Sequence, residues 1–389
     1  MALGRKIRVL VVDDSALMRK LIPIILQKDE DIEVVATAVN GVFALQKAEK
    51  LRPDVITLDM DMPGMDGLTT LKHIVERFGI PVVVVSSLTT EGAEHTMKAL
   101  ELGAMDFIAK PHHEISVHIV DIAQSLIAKV KAVAGSSPEK LHALPAVPEV
   151  TADITKRIAE RAGAPAPSGA GRATSELRPY GAGKSAKNVV AIGISTGGPN
   201  ALSYFLPKIP ADFQAGILIV QHMPAGFTEV FANRLNKICR IEVKEARDGD
   251  IVIHGRALVA PGGKHLKIKK TAIGAIAMLS ESSPVNGHRP SADVLFHSVA
   301  REYGKRAVGV IMTGMGEDGA EGIGEMKRAG ARTIAQDEPS SVVFGMPRVA
   351  IERGYAEKVV SLDNMAEEIV SAMGDMAKDN GGGEYAAAK

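Results

Sequence analysis

IRVLVVDDS, residues 7–15, is an apolar run that ends on two adjacent carboxylates. NVVAIGISTGGP, residues 188–199, is a second such run, and it ends in a glycine turn with Ser195 at the bend. Apolar runs without alternation suit strands covered on both faces, as in parallel sheets flanked by helices. Both stretches therefore put polar groups at the carboxyl end of a buried strand, the edge of a parallel sheet where ligands bind.

The pattern spreads outward from each stretch. In residues 1–130 the candidate strands are IRVLVVD, EVVATA, DVITLD, PVVVVSS and DFIAK, with helical patterns such as LTTLKHIVERF and AEHTMKALELG between them. Five such units predict a doubly wound parallel sheet. In residues 188–376 the strands NVVAIGIS, GILIVQHM, AVGVIMTG and RTIAQD alternate with the helical stretches FTEVFANRLNKI, ADVLFHSVAREYG and AEGIGEMKRAG. Short strands with Gly turns between residues 241 and 280, including IVIHGRALVAPGGKHLKIKK, predict a β-hairpin insertion. Residues 131–187 are rich in Ala, Pro, Gly and Ser and bury too little apolar surface to offset the entropy of ordering them. They read as a flexible linker with a short helix at EVTADITKRIAERAG, and residues 377–389 read as a disordered tail. The expected fold class is α/β, with two doubly wound parallel-sheet domains joined by that linker.

Composition narrows the setting. Hydrophobic residues are 46% and charged residues 24%, ordinary for a soluble globular chain. A net charge of zero gives no global attraction to nucleic acid or to an anionic membrane. Cys239 is the only cysteine, so no intrachain disulfide forms, which fits a reducing compartment. No apolar run reaches the roughly 18 residues that span a bilayer. The first one stops at Asp13 without a small-residue cleavage site. A cytoplasmic protein with no membrane insertion and no nucleic-acid partner is expected.

Asp13 and Asp14 end the first strand, Asp59 the third, Ser86 the fourth, and Lys110 the fifth. Three carboxylates on one edge repel one another unless a cation sits among them, and hard oxygen ligands suit Mg²⁺. Adding a hydroxyl and an ammonium suits a phosphoryl group carried on one carboxylate.

In the second half, GISTG matches G-x-S-x-G, the turn that presents a nucleophilic serine. A hydroxyl needs a base and a group to orient that base. GILIVQ leads into His222, and VGVIMTGMGEDG leads into Asp318, so Ser195, His222 and Asp318 each follow a buried strand. His222 would take the hydroxyl proton, Asp318 would hold the imidazole, and amides of the glycine turns, including Met315, could face an oxyanion. The order Ser, His, Asp differs from that of α/β-hydrolases, which place the acid before the histidine.

Competing readings remain beside these. Asp318 could cap the helix starting near Gly319. GMGEDG at 314–319 matches a dinucleotide loop, but no complete early Rossmann unit precedes it. GAGKS at 181–185 suggests a phosphate loop, yet Arg178 stands where the first glycine belongs. His112, His113 and His118 cluster without the framework of a metal site.

VVDDS, VITLDMDMPGMDGL, VVVVSS and DFIAKP resemble the response-regulator receiver domain over nearly its whole length. The resemblance implies a flavodoxin-like fold with Asp59 as phosphoacceptor. It implies that Asp14, Asp59 and the carbonyl of Asp61 hold Mg²⁺ while Asp13 orients water around it. It makes Ser86 and Phe107 the residues that rearrange on phosphorylation. Phe107 equally fits a plain core aromatic.

AIGISTGGP, VQHMPAGFTEVFANRLN, GRALVAPGGKHL, HRPSADVLF, MTGMGEDGAEG and AQDEPSSVVFGMPRVA, in that order, resemble the catalytic domain of the CheB family of chemotaxis protein-glutamate methylesterases. The match covers about residues 188–372. It implies a Rossmann-like esterase with Ser195 as nucleophile, His222 as base, Asp318 as its partner and Met315 at the oxyanion. The implied substrates are glutamate methyl esters, and also glutamines, on methyl-accepting chemotaxis receptors. The implied phosphodonor is a chemotaxis histidine kinase, and the unphosphorylated receiver is expected to cover the esterase cleft. Arg289 of HRPS could line that cleft or sit in an exposed turn. Two other classes stay open on the residues alone, a non-catalytic phosphorylation-controlled binding module and a DNA-binding regulator. The second half shows no basic helix-turn-helix to favour the latter.

Overall fold

The computed structural model describes residues 5–110, 119–135 and 185–379. The strands of the first unit are β1 (Ile7–Val12), β2 (Ile32–Ala38), β3 (Val55–Asp59), β4 (Val82–Ser86) and β5 (Asp106–Ala109). All their pairings are parallel, in the order β2-β1-β3-β4-β5. That is the flavodoxin-like order, with its switch point between β1 and β3. The apolar runs explain it, because Val9, Leu10 and Val11 are all fully buried although they face opposite sides of the sheet.

The covering helices are α1 (Met18–Leu26), α2 (Gly41–Leu51), α3 (Gly67–Phe78), α4 (Thr90–Glu101) and α5 (Ile119–Ala134). Asn40, Asp66 and Thr89 cap α2, α3 and α4 by accepting from the amides of Phe43, Thr69 and Gly92. α5 carries packing past the boundary expected at residue 130, since Val133 is fully buried. The expected linker helix, the cluster His112, His113 and His118, and GAGKS except its Ser185 lie outside the described residues, as does the tail from residue 380.

The second sheet contains β6 (Val189–Ile194), β7 (Gly216–Gln221), β8 (Glu242–Glu245), β9 (Arg256–Val259), β12 (Ala307–Ile311), β13 (Arg332–Gln336) and β14 (Lys358–Val360). All seven run parallel, in the order β14-β13-β12-β6-β7-β9-β8. β10 (His265–Thr271) and β11 (Gly274–Ser280) form a separate antiparallel hairpin. The insertion is therefore present, but it begins later than the quoted stretch suggested. β9 joins the main sheet because Ala257, Leu258 and Val259 are buried against β7, and the Gly262–Gly263 turn divides it from β10.

Helices α6 (Gly198–Phe205), α7 (Phe227–Ile238), α8 (Ala292–Tyr303), α9 (Ala320–Arg328), α10 (Met346–Glu352) and α11 (Met365–Asp379) complete the second unit. Val190, Ile192 and Ile194 share a core with Phe205, Phe231 and Ile369 on one face. Val189 and Ala191 share the other with Phe296, Ile323 and Ala350. From β6 the chain winds outward through β7 to β8, then returns to place β12 on the other side of β6. The switch point thus lies between β6 and β12.

The two units touch. α4 packs on α7, where Glu101 pairs with Arg234. The Phe107 and Phe227 rings meet at 4.7 Å. Val342 of the second unit joins the apolar cluster containing Val83, Val85 and Ile108 of the first.

Phe205 is fully buried between β6 and the α6/α7 side. Phe205→Ala is expected to lower the stability of the second unit by about 3–5 kcal/mol. Urea unfolding of the full chain would show this as an earlier transition for that unit, with the transition of the first unit unmoved.

Candidate active site

Ser195 follows β6 directly and is nearly buried. Its amide donates to Thr313 O at 2.9 Å, and its carbonyl accepts from Gly198 N at 2.7 Å and from Gln221 Nε2 at 3.0 Å. The left-handed residue of this turn is Gly197, with φ +77°, so the serine itself carries no backbone strain. Gly314 must also be small, because a Cβ there would lie 2.8 Å from Ser195 Cβ.

His222 follows β7, the strand next to β6, and its amide donates to Ile194 O at 3.1 Å. Its Nε2–H donates to Asp318 Oδ2 at 2.8 Å, which leaves Nδ1 as the atom available to a hydroxyl. Nδ1 is buried and accepts no hydrogen bond, so Ser195 Oγ is not yet engaged. Such loosening is common before substrate arrives.

Asp318 follows β12, on the other side of β6, in the glycine-rich turn. Its Oδ1 accepts from Ser291 Oγ at 2.6 Å and Asn286 Nδ2 at 3.0 Å, and its Oδ2 also accepts from Ala292 N at 2.6 Å. Burial alone would raise its pKa, but His222, Ser291 and Ala292 together hold it well below the usual carboxylate range. The carboxylate is thus the hub of the site rather than a helix cap; the capping position of α9 is Gly319. The amides of Met315 and of Thr196, the residue after Ser195, make no hydrogen bond among the described residues.

Several contributors escaped the sequence reading. Asn286, Ser291 and Ala292 hold Asp318, and Asp293 accepts from Asn286 Nδ2 at 2.7 Å. Signals for two of them existed, the Asn-Gly turn at 286–287 and Ser291 as the cap of α8. Arg289 donates to the carbonyls of Glu281 and Ser282 at 2.9 and 3.2 Å, so it ties an exposed loop together. Thr196 Oγ donates to Asp106 Oδ2 of β5 at 2.6 Å, a buried bond between the two units beside the serine.

On the first sheet, Asp13 and Asp59 are fully buried and Asp14 is exposed; the carboxylate oxygens of all three lie within 4.8 Å of one another. Lys110 Nζ sits 2.6 Å from Asp59 Oδ2 and 3.3 Å from Asp13 Oδ2. Lys110 is the one partner of both oxygens among the described residues. Burial pushes the Asp59 carboxyl up to about 6, with Lys110 pulling down and Asp13 pushing further up. Burial likewise raises Asp13, against the pull of Lys110. The carboxylate of Asp61 instead contacts His95 and Ser87, each at 3.3 Å, so only its carbonyl remains for this cluster. Ser86 Oγ donates to Gly92 O at 3.0 Å, toward the start of α4, and Phe107 is buried against Phe227.

Comparison with known proteins accounts for both sheets. The family model "CheB methylesterase" matches residues 190–369, and "Response regulator receiver domain" matches residues 9–120. A protein-glutamate methylesterase/protein-glutamine glutaminase of Koribacter versatilis is 53% identical over 92% of this chain and 93% of its own length. Another, of Pyrococcus horikoshii, is 43% identical over 95% of each. A solved CheB methylesterase catalytic domain of Thermotoga maritima, 40% identical, covers 47% of this chain and 97% of its own, with TM-score 0.47.

Because Asp318 is buried and meets four donors, Asp318→Ala is expected to cost about 3–5 kcal/mol. Denaturant unfolding checks it, and Asp318→Asn, which keeps an acceptor oxygen, should lose less.

Proposed function

The chain belongs to the CheB methylesterase family, and we infer from this and its geometry that it is a phosphorylation-activated protein-glutamate methylesterase with a Ser195–His222–Asp318 triad. The substrates are glutamate γ-methyl esters and glutamines on methyl-accepting chemotaxis receptors. The observation that carries the reading is the state of His222: Asp318 holds one ring nitrogen, and the other is free at the strand end beside Ser195. The Ser195 hydroxyl attacks the ester carbonyl while His222 Nδ1 takes its proton. His222 then returns the proton to methoxide, methanol leaves, and an acyl-enzyme remains. Water repeats the sequence and frees the glutamate; with glutamine the leaving group is ammonia. The Met315 and Thr196 amides, which make no hydrogen bond among the described residues, would donate to the oxyanion.

Control rests on the first sheet. Asp59 is the phosphoacceptor, with Lys110, Ser86 and Phe107 as the groups that respond. The carboxylate oxygens of Asp13, Asp14 and Asp59, gathered within 4.8 Å of one another with Lys110 as their one close cation among the described residues, fit a hard divalent cation. Asp13, Asp14, Asp59 and the carbonyl of Asp61 would hold or orient Mg²⁺. The ion would offset charge on the incoming phosphoryl group. A chemotaxis histidine kinase would supply that group. Thr196 is bonded to Asp106, and Phe227 lies against Phe107; these contacts beside Ser195 support a first unit that covers its approach. No helix among the described residues is long and apolar enough to cross a membrane, and a cytoplasmic location accords with a receptor substrate reached from inside.

Methanol release from methylated receptor membranes tests the reading. Ser195→Ala is expected to lower it by at least about 10⁴-fold, and unchanged release would refute the triad. Asp59→Asn is expected to give equal rates with and without a small-molecule phosphodonor. Arg234→Glu, which sets like charges against Glu101 across the interface, is expected to raise the rate without phosphodonor about threefold to fivefold.

A further inference from the structure

Val285 and His288 pair through two backbone hydrogen bonds, of 3.0 and 2.9 Å, around Asn286 and Gly287. Both central residues have left-handed backbones, with φ +51° and +75°. That is a two-residue turn of the type that Asn-Gly favours. The turn brings two side chains to the site. Asn286 Nδ2 bridges Asp318 Oδ1 and Asp293 Oδ2. The His288 ring stacks on His222, with centroids 3.9 Å apart and planes 18° from parallel. His288 is itself fixed, since its Nδ1–H donates to Asn286 O at 2.7 Å.

We propose that His288 is a positioning residue for the catalytic base: its ring covers one face of His222 and holds the plane in which Nδ1 meets the Ser195 hydroxyl. This rests on reading Ser195, His222 and Asp318 as a triad. A histidine tied at one nitrogen can still swing about that bond, and Asp318 grips His222 only through Nε2. A ring packed flat against its face removes that swing. The charged and titratable groups facing His288 are His222, Asp318 and Lys129 of α5. Burial pushes His288 down to about 4, and the neighbouring His222 adds to this. At neutral pH the ring is therefore uncharged, so it does not repel the imidazolium that forms on His222 during turnover. Its π-face is attractive to that cation.

The test uses the full chain with a phosphodonor and two readouts. One is kcat and KM for methanol release. The other is the rate at which a fluorophosphonate labels Ser195, which reports nucleophile activation without receptor binding. His288→Ala is expected to lower both kcat and labelling about tenfold or more, with KM changed less than about twofold. His288→Phe, which keeps a flat ring, is expected to restore both to within about threefold of the parent. Normal labelling in His288→Ala would overturn the proposal, as would a loss confined to KM, which would make His288 a receptor contact. Failure of His288→Phe to restore either rate would also overturn it. Ser195→Ala separates the two levels: if that variant is still labelled and active, the triad falls first and takes the proposal with it.

Discussion

The carboxylate of Asp318 is the constraint on which the second unit's site depends. It is buried and ionised, a state that is stable only because four donors surround it. Those donors come from β7's end, the Asn286 turn and the start of α8. The Asp318 side chain therefore ties together the end of β7 and the stretch 286–292, which are far apart in sequence. The same arrangement leaves His222 with a single fixed nitrogen and a single free one. Removing any donor loosens the group that holds His222, so on the proposed mechanism stability and catalysis share these bonds.

The first sheet shows the opposite electrostatic condition. Asp59 and Asp13 are as buried as Asp318, but they have fewer aligned donors, so burial leaves their carboxyls raised, whereas the donors around Asp318 outweigh burial and hold it low. One lysine lies between them. A site left short of positive charge and donors is ready to take a cation and a phosphoryl group; a site already saturated is ready to hold a base in place. The two edges look alike in sequence, each a buried strand ending in polar residues, and differ in how completely those residues are satisfied.

That difference marks what the sequence could and could not yield. The strands of the first unit, and β6, β7, β12 and β13 of the second, stand out as apolar runs, most of them buried along their length; the edge strand β2 buries only Ile32 and Ala38. β14 did not, since all of its residues are at least partly exposed and it is short. β8 and β9 look like part of the insertion in sequence because their Gly turns imitate a hairpin. Strand order is a long-range property, and no local pattern says that β12 returns beside β6. Ser195, His222 and Asp318 were legible as strand ends. Asn286, Ser291 and His288 were not, because their roles come from a turn packed against residues far along the chain. Asp106 read only as the start of a strand, and its bond to Thr196 exists only because the two units meet.

The meeting of the units must be strong enough to hold and weak enough to release. Moving a cover from 1:99 to 99:1 takes about 5.5 kcal/mol. The bond between Thr196 and Asp106, the ring contact of Phe107 with Phe227, and the half-exposed pair of Glu101 with Arg234 are together worth on the order of a few kcal/mol. Two of these contacts start from adjacent residues of β5, Asp106 and Phe107, and the third from the end of α4, the helix whose first turn receives Ser86 Oγ. A shift of Ser86 toward a phosphoryl group on Asp59 would remove that bond to α4 and change the packing beside β5. All three contacts would then be strained by one chemical event, together with the apolar packing of Val342 against Val83, Val85 and Ile108.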